Sequence, residues 1–189
     1  MGSLSILVGY LAGSVPFAFL LARRAGIDVR MAGSGNVGAA NVLRTAGIWR
    51  AVIVMALDVA KGAAAVAIAQ TSAGNGVAAL TGAAAVVGHI YPVWLRFHGG
   101  KGVAVAAGVF GMLTPVATAI AMTLFLVTVW TTRYVSLGSV AATLALPPMA
   151  WLTGAPGAVV GCAAGTAGLI LFRHRANLRR LRSGTERRL

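Results

Sequence analysis

Residues 62–95, 102–132 and 134–172 contain no aspartate, glutamate, lysine or arginine. A helix that crosses the hydrocarbon of a bilayer needs about 20 mostly apolar residues, so each run can hold at least one. A soluble domain is about 25% charged, whereas this chain is 10% charged and 58% hydrophobic, with a mean hydropathy of +0.85. The expected fold is all-α: a polytopic membrane helix bundle in a single domain, residues 1–189, because no loop is long enough for a second. The 25 glycines and many alanines favour close helix–helix approach over a leucine-rich surface.

Glycine and proline place the breaks. The run 134–172 divides at Thr153-Gly154-Ala155-Pro156-Gly157, and 62–95 divides within Thr71–Gly76. The run 102–132 is either one long helix or two, hinged near Gly111–Pro115. Charge decides it. With two helices, loops 23–50 and 96–101, Arg133 and the tail 173–188 share one face, and the other face carries no charged side chain. The positive-inside rule makes that basic face cytoplasmic. The prediction is seven transmembrane helices, N-terminus outside and C-terminus cytoplasmic. Leu4–Ala22 has no basic segment before it and reads as the first span rather than a cleaved signal. The net charge of +13 then reflects topology and anionic substrates, and nucleic acid is not an expected partner. The single cysteine, Cys162, is expected to be a small packing residue.

Every polar motif falls on the cytoplasmic side. Gly33-Ser34-Gly35-Asn36-Val37-Gly38-Ala39-Ala40-Asn41, followed by Arg44, combines glycines that permit an exposed backbone with neutral hydrogen-bonding groups and a guanidinium. A flexible linker is the competing reading. Gly99-Gly100-Lys101-Gly102 offers a fixed cation and leads into a helix whose N-terminal N–H groups suit a phosphate, although the spacing is not that of a Walker A loop. A helix anchor is the alternative for Lys101. His89, near the end of its span, suits either packing or a site. Ser136 and Ser139 are site candidates or simple helix caps. His174 and Asn177 stand three apart on one helical face, ahead of a basic tail fit to lie on anionic membrane lipid. Asp58 and Lys61 are an ion pair within a span at the same spacing and read as support for the site. No His/Cys/Asp/Glu cluster has metal-ligand spacing, so no metal or other cofactor is expected.

In their order and spacing these segments resemble the bacterial acyl-phosphate:glycerol-3-phosphate acyltransferase family. The resemblance begins at Gly13-Ser14-Val15-Pro16-Phe17 and includes Asp58-Val59-Ala60-Lys61-Gly62 and Gly88-His89-Ile90-Tyr91-Pro92. It continues through Tyr134-Val135-Ser136-Leu137-Gly138-Ser139 to the tail His174–Glu186. Two positions depart from it: Ala40 and Val105 stand where threonine is usual. The resemblance implies a metal-independent enzyme of the bacterial inner membrane, its active site facing the cytoplasm. It would make lysophosphatidic acid from glycerol 3-phosphate and a fatty acyl phosphate. Carried over by position, Ser34, Arg44, Lys101, Ser139, His174 and Asn177 would bind glycerol 3-phosphate. Gly99, Gly100, Gly102, Asn36 and Asn41 would hold the acyl phosphate. His174, Lys101 and Asn36 would be catalytic, supported by Asp58, Lys61, His89 and Ser136. Either His174 or the donor's own phosphate would take the acceptor proton. The rival class is a membrane transporter of phosphate or a phosphorylated metabolite, which would need a polar path to a face that offers no ionisable group.

Overall fold

The computed structural model describes residues 2–189, the side chains of 72 and 73 excepted, and every element among them is helical. The chain forms two compact units, one ending at Met112 and the other running from Leu113 to Leu189.

The first unit contains α1 (Gly2–Ser14), α2 (Phe17–Arg23), α3 (Ala39–Ala46), α4 (Ile48–Ile90), a 3₁₀ turn (Val93–Leu95) and α5 (Val103–Leu113). Pro16 lacks an N–H, so the first apolar run, expected as continuous over Leu4–Ala22, is interrupted between α1 and α2. That break turns the Val15 carbonyl to the Lys61 ammonium at 2.9 Å. Glycines set the packing of α1 on α4. A Cβ on Gly13 would fall into the Ala85 carbonyl, and one on Gly88 into the Tyr10 carbonyl. The two backbones therefore lie in direct contact, the arrangement that lets helices associate where lipid supplies no hydrophobic drive. Beneath the first polar loop, Ala18, Ala22, Val29, Val37, Val42, Val54 and Leu95 form a buried apolar cluster. This cluster fixes residues 24–38 against the start of α4.

The second unit packs α6 (Pro115–Thr132) on α7 (Val135–Leu152), α7 on α8 (Gly157–Arg173), and ends in the short α9 (Arg175–Arg182). α8 and α9 meet at His174 with a bend of 55°.

All three anticipated breaks are present. Gly74 turns α4 with φ 74°, Thr114 separates α5 from α6 with Pro115 opening the latter, and Gly154 (φ 76°) lies between α7 and α8. Among the described residues, five segments are long and apolar enough to cross a membrane, or six if α8 and α9 count as one bent span. Leu7, Leu126, Val127 and Leu144 stand more than half exposed on these helices. Such exposure suits lipid and would be a liability in water. α5 has only 11 residues; it rises about 16 Å, roughly half the hydrocarbon thickness.

Candidate functional site

In the first unit, the polar loop and the glycine loop touch. Gly33 and Gly35 take positive φ (62° and 71°), which folds the chain into a tight cradle ahead of α3. Asn41, fully buried, clamps that cradle. Its amide donates to the Val29 and Ala32 carbonyls at 2.9 and 3.0 Å, and its Oδ1 accepts the Ser34 N–H at 2.8 Å. Both amide hydrogens are thus engaged with backbone, and Asn41 shapes the loop that presents Ser34 and Asn36. Arg44 is exposed on α3 and Ser34 is exposed in the loop.

The glycine loop works differently from its sequence reading. The Gly99 N–H donates to the Ile90 carbonyl and the Gly100 N–H to the His89 carbonyl, each at 3.1 Å. Those two donors cap the C-terminus of α4 rather than facing a ligand. The need for glycine there is steric: a Cβ on Gly99 would strike the His89 and Ile90 carbonyls, and one on Gly100 the His89 ring and the Val37 carbonyl. The donors still lacking an intrahelical acceptor begin at Val103, on α5, immediately after Lys101 and the buried Gly102 (φ 92°). Before the loop, Arg96 and Phe97 both adopt positive φ (51° and 62°), an uncommon pair for residues with side chains. Behind it lies an ionic cluster. The Asp58 carboxylate contacts Lys61 Nζ at 2.8 Å, and Lys61 contacts His89 Nδ1 at 3.1 Å.

In the second unit, His174 is 2% exposed and its Nδ1 meets the Ile170 carbonyl at 2.8 Å. A carbonyl can only accept, so Nδ1 carries the hydrogen and a neutral ring has its lone pair on Nε2. Asn177, 6% exposed, donates to Glu186 Oε1 at 2.5 Å. Glu186 also accepts from Arg180 Nε at 2.7 Å, and the Ser136 hydroxyl faces the carboxylate without closing a good hydrogen bond. Burial pushes the Glu186 carboxyl up, but the hydrogen bonds from Asn177 and Arg180, the nearby Ser136 hydroxyl and the Arg180 charge outweigh it. The net pKa lies below the ordinary carboxylate range. Ser139 is buried and donates to the Val135 carbonyl at 2.9 Å.

Comparison with known proteins gives these residues a context. The family model described as glycerol-3-phosphate acyltransferase matches residues 3–184. This chain belongs to the glycerol-3-phosphate acyltransferase family. Proteins of that name from Geotalea daltonii and Roseobacter denitrificans are each 44% identical to it, over 96% and 95% of the chain and 94% and 90% of their own lengths. Among solved structures, PlsY (YgiH), an integral membrane glycerol 3-phosphate acyltransferase, superposes in its glycerol 3-phosphate form with a TM-score of 0.96. It is 39% identical, and the match covers 100% of this chain and 95% of that one. The lysophosphatidic acid form of PlsY matches with a TM-score of 0.94. Membership in a family of acyltransferases decides against the transporter reading.

Within the family chain, two residues matter more than their sequence context suggests. His89 joins Lys61, and through it Asp58, across 28 positions through packing alone, which no local spacing reveals. Glu186 looks like a lone acid in a basic tail, yet it ties Asn177 to Arg180. The only local hint is its place in an arginine-rich segment, where a single carboxylate has ready partners.

Proposed function

We propose that this chain transfers a fatty acyl group from acyl phosphate to the sn-1 hydroxyl of glycerol 3-phosphate, yielding lysophosphatidic acid and inorganic phosphate. An acyl phosphate is a mixed anhydride with a good leaving group, so positioning and charge neutralisation supply most of the acceleration. The acceptor oxygen attacks the acyl carbon and gives up its proton. The ester bond forms, and the carbon–oxygen bond to phosphate breaks. Lys101, the leading N–H groups of α5 and Asn36 neutralise the departing phosphate. Ser34, Arg44, Ser139 and Asn177 bind the acceptor, and Asn41 supports this binding by holding the Ser34 loop in shape.

The observation that carries this reading is the hydrogen bond from His174 Nδ1 to Ile170, which leaves Nε2 as the basic nitrogen. The three carboxylates already sit in ion pairs with Arg30, Lys61 and Arg180. His174 is therefore the side chain suited to receive the acceptor proton. The chain acts as an acyltransferase in the bacterial inner membrane, with lipid around the helices and the polar loops in the cytoplasm. Seven spans place every basic loop on that side. α5 then crosses as the shortest of them, and the glycine loop reaches below the headgroups, where its backbone is satisfied by α4.

The test is donor choice. Purified protein supplied with glycerol 3-phosphate should turn over acyl phosphate in the presence of EDTA and leave acyl coenzyme A untouched. Comparable rates with acyl coenzyme A, or loss of activity on chelation, would overturn the reading.

A further inference from the structure

The Asp58–Lys61–His89 cluster has a chemical polarity that its distances determine. Asp58 and Lys61 are buried and 2.8 Å apart, so the carboxylate keeps Lys61 as an ammonium. The ammonium also approaches the Val15 carbonyl at 2.9 Å and His89 Nδ1 at 3.1 Å. An ammonium has hydrogens to give and no lone pair. Whatever bond joins Nζ to Nδ1 is donated by lysine, and Nδ1 must accept it. Nδ1 also lies 3.6 Å from Asp58 Oδ1, beyond hydrogen-bond range, so its short contact is the one with lysine and the hydrogen of a neutral His89 ring sits on Nε2. His89 itself is 9% exposed.

The direction of that nitrogen gives the cluster its use. Nε2 occupies the space that a Cβ on Gly100 would claim, beside the Val37 carbonyl, while the His89 carbonyl accepts the Gly100 N–H. The His89 backbone thus holds the Gly100 N–H while its ring packs against the face of Gly100 that lacks a side chain, where the Ser34 loop and the glycine loop touch. A small cavity of about 10 Å³, the size of one water, lies alongside and is lined by Asp58, His89, Gly99 and Gly100.

We propose that His89 is a positioning residue, locked as its Nε2–H tautomer by Lys61 and Asp58, that sets Gly100 and hence Lys101 for the donor phosphate. This rests on the assignment of Lys101 to the donor, and it names what holds that lysine in register. The ring acts through the loop and does not touch substrate.

Two measurements test it. Nitrogen-15 histidine spectra of the purified protein, with His89→Gln used to assign the signal, should show His89 with Nδ1 bare and Nε2 protonated. Lys61→Met should abolish that preference. A hydrogen on Nδ1 in the unmodified protein would overturn the proposal outright, and this reading needs no variant to be active. Kinetics supply the second arm. A glutamine amide nitrogen superimposes on Nε2 and an asparagine one on Nδ1. His89→Gln, which fills the Nε2 position beside Gly100, should keep the KM for acyl phosphate within about threefold, whereas the shorter His89→Asn, which leaves that space empty, should raise it about tenfold. The KM for glycerol 3-phosphate should hold in both. Equal effects of glutamine and asparagine, or a loss confined to glycerol 3-phosphate, would refute the positioning role. Lys101→Ala, run in parallel, separates the two ideas. If it leaves the acyl phosphate KM unchanged, the assignment of Lys101 fails, while the tautomer result stands on its own.

Discussion

A single methyl group at Gly100 probes the junction of the two polar loops. An alanine Cβ there would overlap His89 Nε2 and lie 2.7 Å from the Val37 carbonyl and 2.9 Å from His89 Cε1. Real contacts of this kind do not occur below about 3 Å, so something must move. The ring is held by Lys61, and the Val37 carbonyl is backbone whose side chain belongs to a buried apolar cluster, so neither neighbour gives readily. Overpacking of this sort costs about 1–3 kcal/mol. Expressed as a displaced loop rather than as unfolding, that is a loss of roughly five- to 150-fold in kcat/KM. The assay is phosphate release at limiting acyl phosphate, with thermal unfolding followed in the same preparation. Gly111→Ala is the control, since a Cβ at that position of α5 meets nothing within 4 Å. Wild-type activity in Gly100→Ala with an unchanged melting temperature would refute the steric account of the glycine loop.

Lys101→Ala should cost about 2–4 kcal/mol of transition-state stabilisation, roughly thirty- to a thousand-fold in rate, with little change in melting temperature; near-normal turnover would return Lys101 to a mere helix anchor. Glu186→Ala should destabilise the protein by about 1–3 kcal/mol, because it removes a hydrogen-bond acceptor of the buried Asn177 amide and the ion-pair partner of Arg180; denaturation of the purified protein measures it. The depressed Glu186 pKa gives that effect a pH dependence. Its stabilisation is fully present above the unfolded carboxylate value of about 4.3 and is lost as pH falls through the lower folded value, so the gap between wild type and Glu186→Ala should close in acid. Cysteines placed in Thr71–Gly76 or Thr153–Gly157 should label from outside only, and those near Arg133 or Arg179 from inside only; outside labelling near Arg133 would end the seven-span topology.

Much of the architecture is legible because membrane helices are written in what they exclude. Long charge-free runs mark the helices, and Gly74, Thr114-Pro115 and Gly154 break them where the sequence indicates. The interruption at Pro16 is hidden because apolar residues continue on both sides of it. In the site, residue types are legible but their tasks are less so. The glycines of 99–102 suggest phosphate-binding N–H groups. In the fold, those of Gly99 and Gly100 cap α4, and the absence of a side chain is what the packing requires. Asn41 likewise reads as a ligand contact and proves to be the clamp of its own loop. His89 escapes notice as a partner of Lys61 because the contact spans 28 positions and depends on how the two halves of α4 pack across the turn at Gly74.

The central claim is an acyl transfer driven by loss of phosphate from the donor. It is tested most directly by incubating purified protein with glycerol 3-phosphate and acyl phosphate, and measuring inorganic phosphate and lysophosphatidic acid in the same samples over time. The account predicts that the two products appear in equal amounts, that both require glycerol 3-phosphate, and that both are lost together in His174→Ala. Phosphate release without the lipid product, or lipid formation undiminished in His174→Ala, would contradict it.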